Sequence, residues 1–156
     1  MNAQPIESIL ADHPFFKEIP REHLARVASQ ATISRFDKGE VIFREGSDAR
    51  NFYLVLKGRV IIETLLPHQG LVNIQTVEAG EMLGWSWLVP PFRYRFGART
   101  VQPTELAIFN GKHLLEVFEK DPQLGYQFLR RVLVAITERL EQTRLQLLNI
   151  YDNPVK

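Results

Sequence analysis

The spacing of apolar residues changes texture twice along this chain of 156 residues. From Ile6 to Gln30 it is helical: Leu24, Val27 and Ala28 recur at helical steps, and Pro20 stands where a first turn tolerates proline. Phe15 and Phe16 are expected to plug this part onto the body. Between Thr32 and Phe109 the pattern breaks into short runs rich in Val, Ile, Phe and Tyr, punctuated by Gly39, Gly46, Gly58, Gly70 and Gly80. Such punctuation predicts many short strands. GEVIFREG and NFYLVLKGRVIIETL give apolar clusters bounded by turn residues, and PHQGLVNIQTVEAG reads as a hairpin passing into the next strand. No helix-length segment separates these runs, so parallel crossovers are excluded and an antiparallel sandwich or jelly roll is expected.

The helical period returns at Gly111. HLLEVFEK predicts a short helix, and a long one follows Asp121-Pro122, where Asp can cap and Pro can take the first turn. Within it Leu129, Leu133, Ile136, Leu140, Thr143, Leu147 and Ile150 step by four and three alternately, a heptad seam with one polar interruption at Thr143. A second stripe, Leu124, Phe128, Val132 and Ala135, is available to grip the body. So long a helix overhangs so small a body, and the seam therefore predicts a homodimer. The expected organisation is one domain over 1–156, with N-terminal helices in 1–30, strands in 31–110 and C-terminal helices in 111–156.

Composition narrows the function more than the fold. Nineteen Lys and Arg balance eighteen Asp and Glu, for a net charge of +1, which gives no global case for binding nucleic acid or membrane. The chain has no cysteine, hence no disulfide framework and no thiolate chemistry, as suits a cytoplasmic protein. MNAQPIESILADHPFF lacks a basic leader before an apolar run, and no stretch of about 18 apolar residues occurs. The four histidines, His13, His23, His68 and His113, are scattered without metal-ligand spacing. No nucleophile elbow, P-loop or dinucleotide fingerprint is present, so neither an enzyme nor a cofactor is expected.

Local charge is another matter. GWSWLVPPFRYRFGARTV, Gly84 to Val101, holds both tryptophans and three arginines, and no acid occurs from Gly84 to Thr104. Upstream, Gly39, Gly46 and Gly58 frame GEVIFREGSDARNFYLVLKGRV, and Gly80 opens the loop EAGEMLG. In these glycines and the FYLV strand before the third of them, the chain resembles cyclic-nucleotide-binding domains of the catabolite activator type, over roughly Phe15 to Leu148. The resemblance implies a mainly β fold: an eight-stranded antiparallel jelly roll, or double-stranded β-helix, with N-terminal helices and a long C-terminal helix that lids the pocket and often forms the dimer seam. Transcription factors of this type append a helix-turn-helix. This sequence ends at Lys156 without a charge excess, so direct DNA binding is not expected.

The resemblance also implies a site. The family's phosphate cassette begins Gly-Glu-Leu-Ala-Leu and ends Pro-Arg-x-Ala, and the matching residues are Gly84-Trp85-Ser86-Trp87-Leu88 and Arg95-Phe96-Gly97-Ala98. Backbone amides of a short turn cradle the phosphate there, an arginine neutralises it and a glutamate takes the ribose hydroxyl. Arg95 stands for the phosphate arginine, with Arg99 next in line and Arg93 expected to project to solvent. Gly97 or Ala98 supplies the small residue. Trp85 occupies the glutamate's place, and an indole offers one donor and no acceptor for a ribose hydroxyl. From the lid helix, Thr143 or Thr137 is expected to meet the ligand, although Thr143 also reads as a register-setting interruption of the heptad.

The expected ligand-binding set is thus Gly84, Trp85, Ser86, Arg95, Phe96, Gly97, Ala98, Arg99 and Thr143, with cAMP, cGMP or a related phosphate-bearing molecule as ligand. The expected function is a regulatory module that signals through its C-terminal helix to a downstream protein. The alternative is a dimerisation scaffold whose pocket no longer binds nucleotide.

Overall fold

The structure is a computed structural model that describes residues 5–152. The outermost positions of the span expected from the sequence lie outside the described residues. Helix α1 (Ile6–Ala11), a 3-10 turn (Pro14–Phe16) and helix α2 (Arg21–Ala28) precede the strands. These are β1 (Ala31–Phe36), β2 (Val41–Phe43), β3 (Asn51–Lys57), β4 (Arg59–Leu66), β5 (Gly70–Glu78), β6 (Met82–Leu83), β7 (Gly97–Thr100) and β8 (Thr104–Asn110), followed by α3 (Gly111–Lys120) and α4 (Pro122–Asp152). The strands form two four-stranded antiparallel sheets, ordered β1-β8-β3-β6 and β2-β7-β4-β5. This is the jelly roll expected from the sequence, with flanking helices and a long C-terminal helix.

Two cores explain the apolar runs. Alternate residues of a strand point to opposite faces. Phe52 and Leu54 of β3 therefore meet the helices, while Tyr53 and Val55 meet the second sheet. Because both faces of β3 are covered, its sequence is continuously apolar rather than alternating. Phe15 and Phe16 are buried on the helical side, packed with Phe52, Phe109 and Phe128.

Helix α4 begins at a built cap. The Asp121 carboxylate accepts the Leu124 N–H at 3.2 Å and is held by Arg26 at 2.6 Å and His23 at 2.8 Å, which ties α2 to the α3–α4 junction. Leu124, Phe128 and Val132 are buried, with Ala135 packed beside them. Arg139 is the last residue of α4 that is not exposed; every residue from Leu140 to Asp152 is exposed. That exposed length projects about 20 Å at the helical rise.

His13 locks the N-terminal segment in a form that titrates. The ring is 5% exposed, its Nδ1 accepts the Phe15 N–H at 3.1 Å, and Nε2–H therefore donates to the Val55 carbonyl at 3.1 Å. The bond that Nδ1 accepts needs the neutral ring, because a protonated Nδ1 is a donor. Burial lowers its pKa from the ordinary 6.5, against a smaller raising effect of the Val55 bond. Near pH 6.5 the unfolded chain binds the proton and the folded chain does not, so stability is full above that pH and falls below it. Denaturation midpoints measured from pH 7.5 down to 5.5 should show this fall, at up to about 1.4 kcal/mol per pH unit, and His13→Gln should flatten it.

Candidate ligand pocket

Gly84 opens the functional segment because only glycine suits its place. Its φ is +83°, in the left-handed region, and a Cβ would stand 2.9 Å from the Tyr53 ring. The chain then enters a 3-10 turn, Trp85–Leu88, closed by the Val89 N–H donating to the Ser86 carbonyl at 3.3 Å.

The turn divides the two tryptophans. Trp87 points into the core, 4% exposed, edge-on to Phe52 at 6.2 Å between centroids. Its ring lies so close to Gly111 that a Cβ there would approach Cε3 at 2.8 Å, and its buried indole N–H has no partner among the described residues. Trp85 is half-buried and faces a cavity of about 230 Å3. Phe43, Ile62, Gln75 and Leu83 of the sheets line that cavity, with Gly84, Trp85 and Ser86 from the turn and Tyr94, Arg95 and Phe96 from the segment after it. Helix α4 closes it with Ile136, Arg139, Leu140 and Thr143.

Six of the nine residues expected from the sequence therefore meet at one cavity: Gly84, Trp85, Ser86, Arg95, Phe96 and Thr143. Gly97, Ala98 and Arg99 do not line it. They belong to β7, which pairs with β2 on one side and β4 on the other, so their backbone is committed to the sheet. Ala98 is buried in the core between the sheets, and the Arg99 Nε–H donates to Glu63 at 3.1 Å while Nη1 donates to the Gly39 carbonyl at 3.3 Å. Arg93 is exposed, as expected, but is held by the Gly46 carbonyl at 3.0 Å and lies 3.8 Å from Asp48. The acids missing from the local sequence thus come from distant strands and loops. Arg95 alone of the three has no carboxylate partner among the described residues; its one bond is a long 3.5 Å contact with the Pro90 carbonyl. Thr137 is exposed, donates to the Leu133 carbonyl at 2.8 Å and does not line the cavity.

Arg139 is the residue that sequence reasoning passed over. Its side chain is 16% exposed, donates to the Met82 carbonyl of β6 and lies 3.9 Å from Glu81. Burial lowers its pKa, opposed by Glu81, and the group remains a cation. The only legible signal was a cation between Ile136 and Leu140 of the seam. Tyr94 was also missed: its ring stacks on Phe43 at 3.8 Å, and its hydroxyl donates to the Asn51 carbonyl at 2.8 Å. Burial pushes its ionisation well above the ordinary phenol range. The lining thus carries two guanidinium groups and no carboxylate. Among the described residues no group of His, Asp and Glu is placed to hold a metal ion, and no helix is long and apolar enough to cross a membrane.

A jelly roll with a glycine-opened turn, roofed by its C-terminal helix, defines a ligand-binding regulatory fold. Residues 33–121, more than half of the chain, match the cyclic nucleotide-binding domain, and the chain belongs to that family. It is similar to a candidate cyclic nucleotide-binding protein of known structure from Geobacter metallireducens GS-15, at 29% identity and a TM-score of 0.76, covering 89% of this chain and 99% of that one. A cyclic nucleotide-binding domain from Methylobacillus flagellatus KT shares the fold at a TM-score of 0.80 and 20% identity, over 97% of this chain and 84% of that one. The cGMP-dependent protein kinase 2 of Homo sapiens is 28% identical over 74 residues, 47% of this chain. The chain spans about a tenth of the length of that kinase, 10%.

Gly84→Ala should destabilise the protein by about 1–3 kcal/mol, from left-handed strain and the clash with Tyr53. A lower urea midpoint at unchanged slope is the expected reading. An unchanged midpoint would show that the turn does not need its glycine.

Proposed function

We propose that this chain is a regulatory module that binds a small phosphate-bearing anion, cyclic nucleotides included, between the Gly84–Leu88 turn and α4, and signals through that helix. The observation that carries this reading is the shared cavity. Gly84, Trp85 and Ser86 of the turn and Ile136, Arg139, Leu140 and Thr143 of α4 line one space, so an occupant touches the anchor and the lever together. Arg95, which has no carboxylate partner among the described residues, and Arg139, whose neighbour Glu81 at 3.9 Å is not part of the lining, supply positive charge there, which favours an anion. In this reading the module is a single, non-enzymatic cytoplasmic domain that contacts a downstream protein rather than DNA.

The ligand controls α4 only if it binds one helix arrangement better than another. Arg139 provides the means, since its guanidinium already holds the Met82 carbonyl, next to Leu83 and Gly84, and an anion in the cavity would compete for its donors. The exposed seam supports a homodimer: Leu129, Leu133, Leu140, Leu147 and Ile150 are each at least 47% exposed on the described chain. That same seam favours the second reading, a dimerisation scaffold, because it needs no ligand.

Thermal denaturation with cAMP, cGMP and inorganic phosphate separates the two readings. A ligand at about 100 times its dissociation constant should add about 2.7 kcal/mol, and Arg95→Ala, by weakening binding about 10- to 100-fold, should cut that to about 0.4–1.4 kcal/mol. No shift with any of them at millimolar concentration removes the cyclic-nucleotide and free-phosphate reading. For the dimer, sedimentation should show two chains for the wild type and one for Leu133→Glu, whose folding free energy per chain changes by no more than about 0.5 kcal/mol. A wild-type monomer at high concentration removes the seam argument.

A further inference from the structure

The cavity restricts its ligand by size and surface as well as by sign of charge. Phe43, Ile62, Leu83, Trp85, Phe96 and Leu140 present apolar walls around a space of about 230 Å3. An apolar cavity of about 150 Å3 takes a benzene ring, whereas pockets for drug-sized ligands begin at about 300 Å3. The space lies between those two sizes, which suits one ring with a compact head group. Phe43, Trp85 and Phe96 bring aromatic side chains to the lining, and a planar ring gains from offset or edge contacts with such side chains beyond its buried area.

The polar groups point the same way. Arg95 and Arg139 both line the space, and each is a charge-assisted donor for an anionic head. A ribose hydroxyl calls for a strong acceptor, and none of the lining side chains is a carboxylate; Gln75, Ser86 and Thr143 are neutral. The Thr143 hydroxyl already donates to the Arg139 carbonyl at 2.9 Å. We infer that the pocket selects a small aromatic anion, one ring bearing a single phosphate or carboxylate head, over a ribose-bearing nucleotide. This rests on the cavity being the ligand site, as proposed above, and narrows its ligand class.

Calorimetric titration of the full chain with phenyl phosphate, phenylacetate, inorganic phosphate and cAMP tests it. At least one aromatic anion should bind about tenfold or more tightly than both inorganic phosphate and cAMP, and the better of the two identifies the head group. Arg95→Ala, checked for folding by circular dichroism, should weaken that binding about 10- to 100-fold. The bound ring should also change tryptophan fluorescence, and Trp85→Phe should remove that change. Binding of cAMP more tightly than either aromatic anion overturns the inference while leaving the ligand site in place. Equal binding of inorganic phosphate and the aromatic anions overturns it too, because the ring would then go unread. Silence of all four probes at millimolar concentration overturns both the inference and the site on which it rests.

Discussion

Phe128 lies at the centre of an aromatic cluster, with ring centroids 5.1 Å from Phe15, 5.3 Å from Phe52 and 5.0 Å from Phe118. Those partners come from the N-terminal turn, from β3 and from α3. One side chain of α4 therefore joins the three bodies that could otherwise move against it, each aromatic pair adding about 0.5–1.5 kcal/mol beyond its buried area. Helix geometry carries the constraint onward. Arg139 follows Phe128 by about three turns, or about 16 Å, and returns to nearly the same face. Seating Phe128 thus delivers Arg139 to the Met82 carbonyl and closes the cavity beside the Gly84 turn.

The parts of this arrangement that were legible in the sequence are those set by local rules. Phe15 and Phe16 as a plug, Asp121 as a cap, and the stripe Leu124, Phe128 and Val132 follow from spacing and residue type alone. Gly84 was legible through the family pattern, and its left-handed φ is the physical reason a glycine stands there. What escaped were pairings across sequence distance. Nothing near Arg99 announces Glu63, 36 positions away, nor does anything near Tyr94 announce the Asn51 carbonyl, 43 positions away. Gly97 and Ala98 looked like approach points for a ligand because they are small. Pairing within the sheet commits their backbone to β7, and Ala98 is packed between the sheets.

Trp85 and Trp87 show the limit of residue type as evidence. They are two positions apart in one short turn, yet Trp87 fills the core against Phe52 and Gly111 while Trp85 walls the cavity. A sequence without coordinates offers both as core or both as ligand platform. The turn decides between them, because a tight helical turn sends residues two apart to different sides.

Arg139 marks a boundary in α4 that gives the proposed signalling a physical route. On its N-terminal side the helix is held by buried Leu124, Phe128 and Val132; beyond it every described residue is exposed. Leu140 and Thr143 lie just past that boundary and belong both to the cavity wall and to the heptad seam. On the proposed reading, a ligand and a second chain would therefore touch the same few residues. Coupling between two such binding events is reciprocal: a ligand that favours the dimer arrangement of α4 is itself bound more tightly by the dimer. The sign of that coupling rests on one exchange at Arg139. If an anion leaves the Met82 bond intact, it strengthens the clasp; if it takes the guanidinium away, it frees the exposed half of the helix to move.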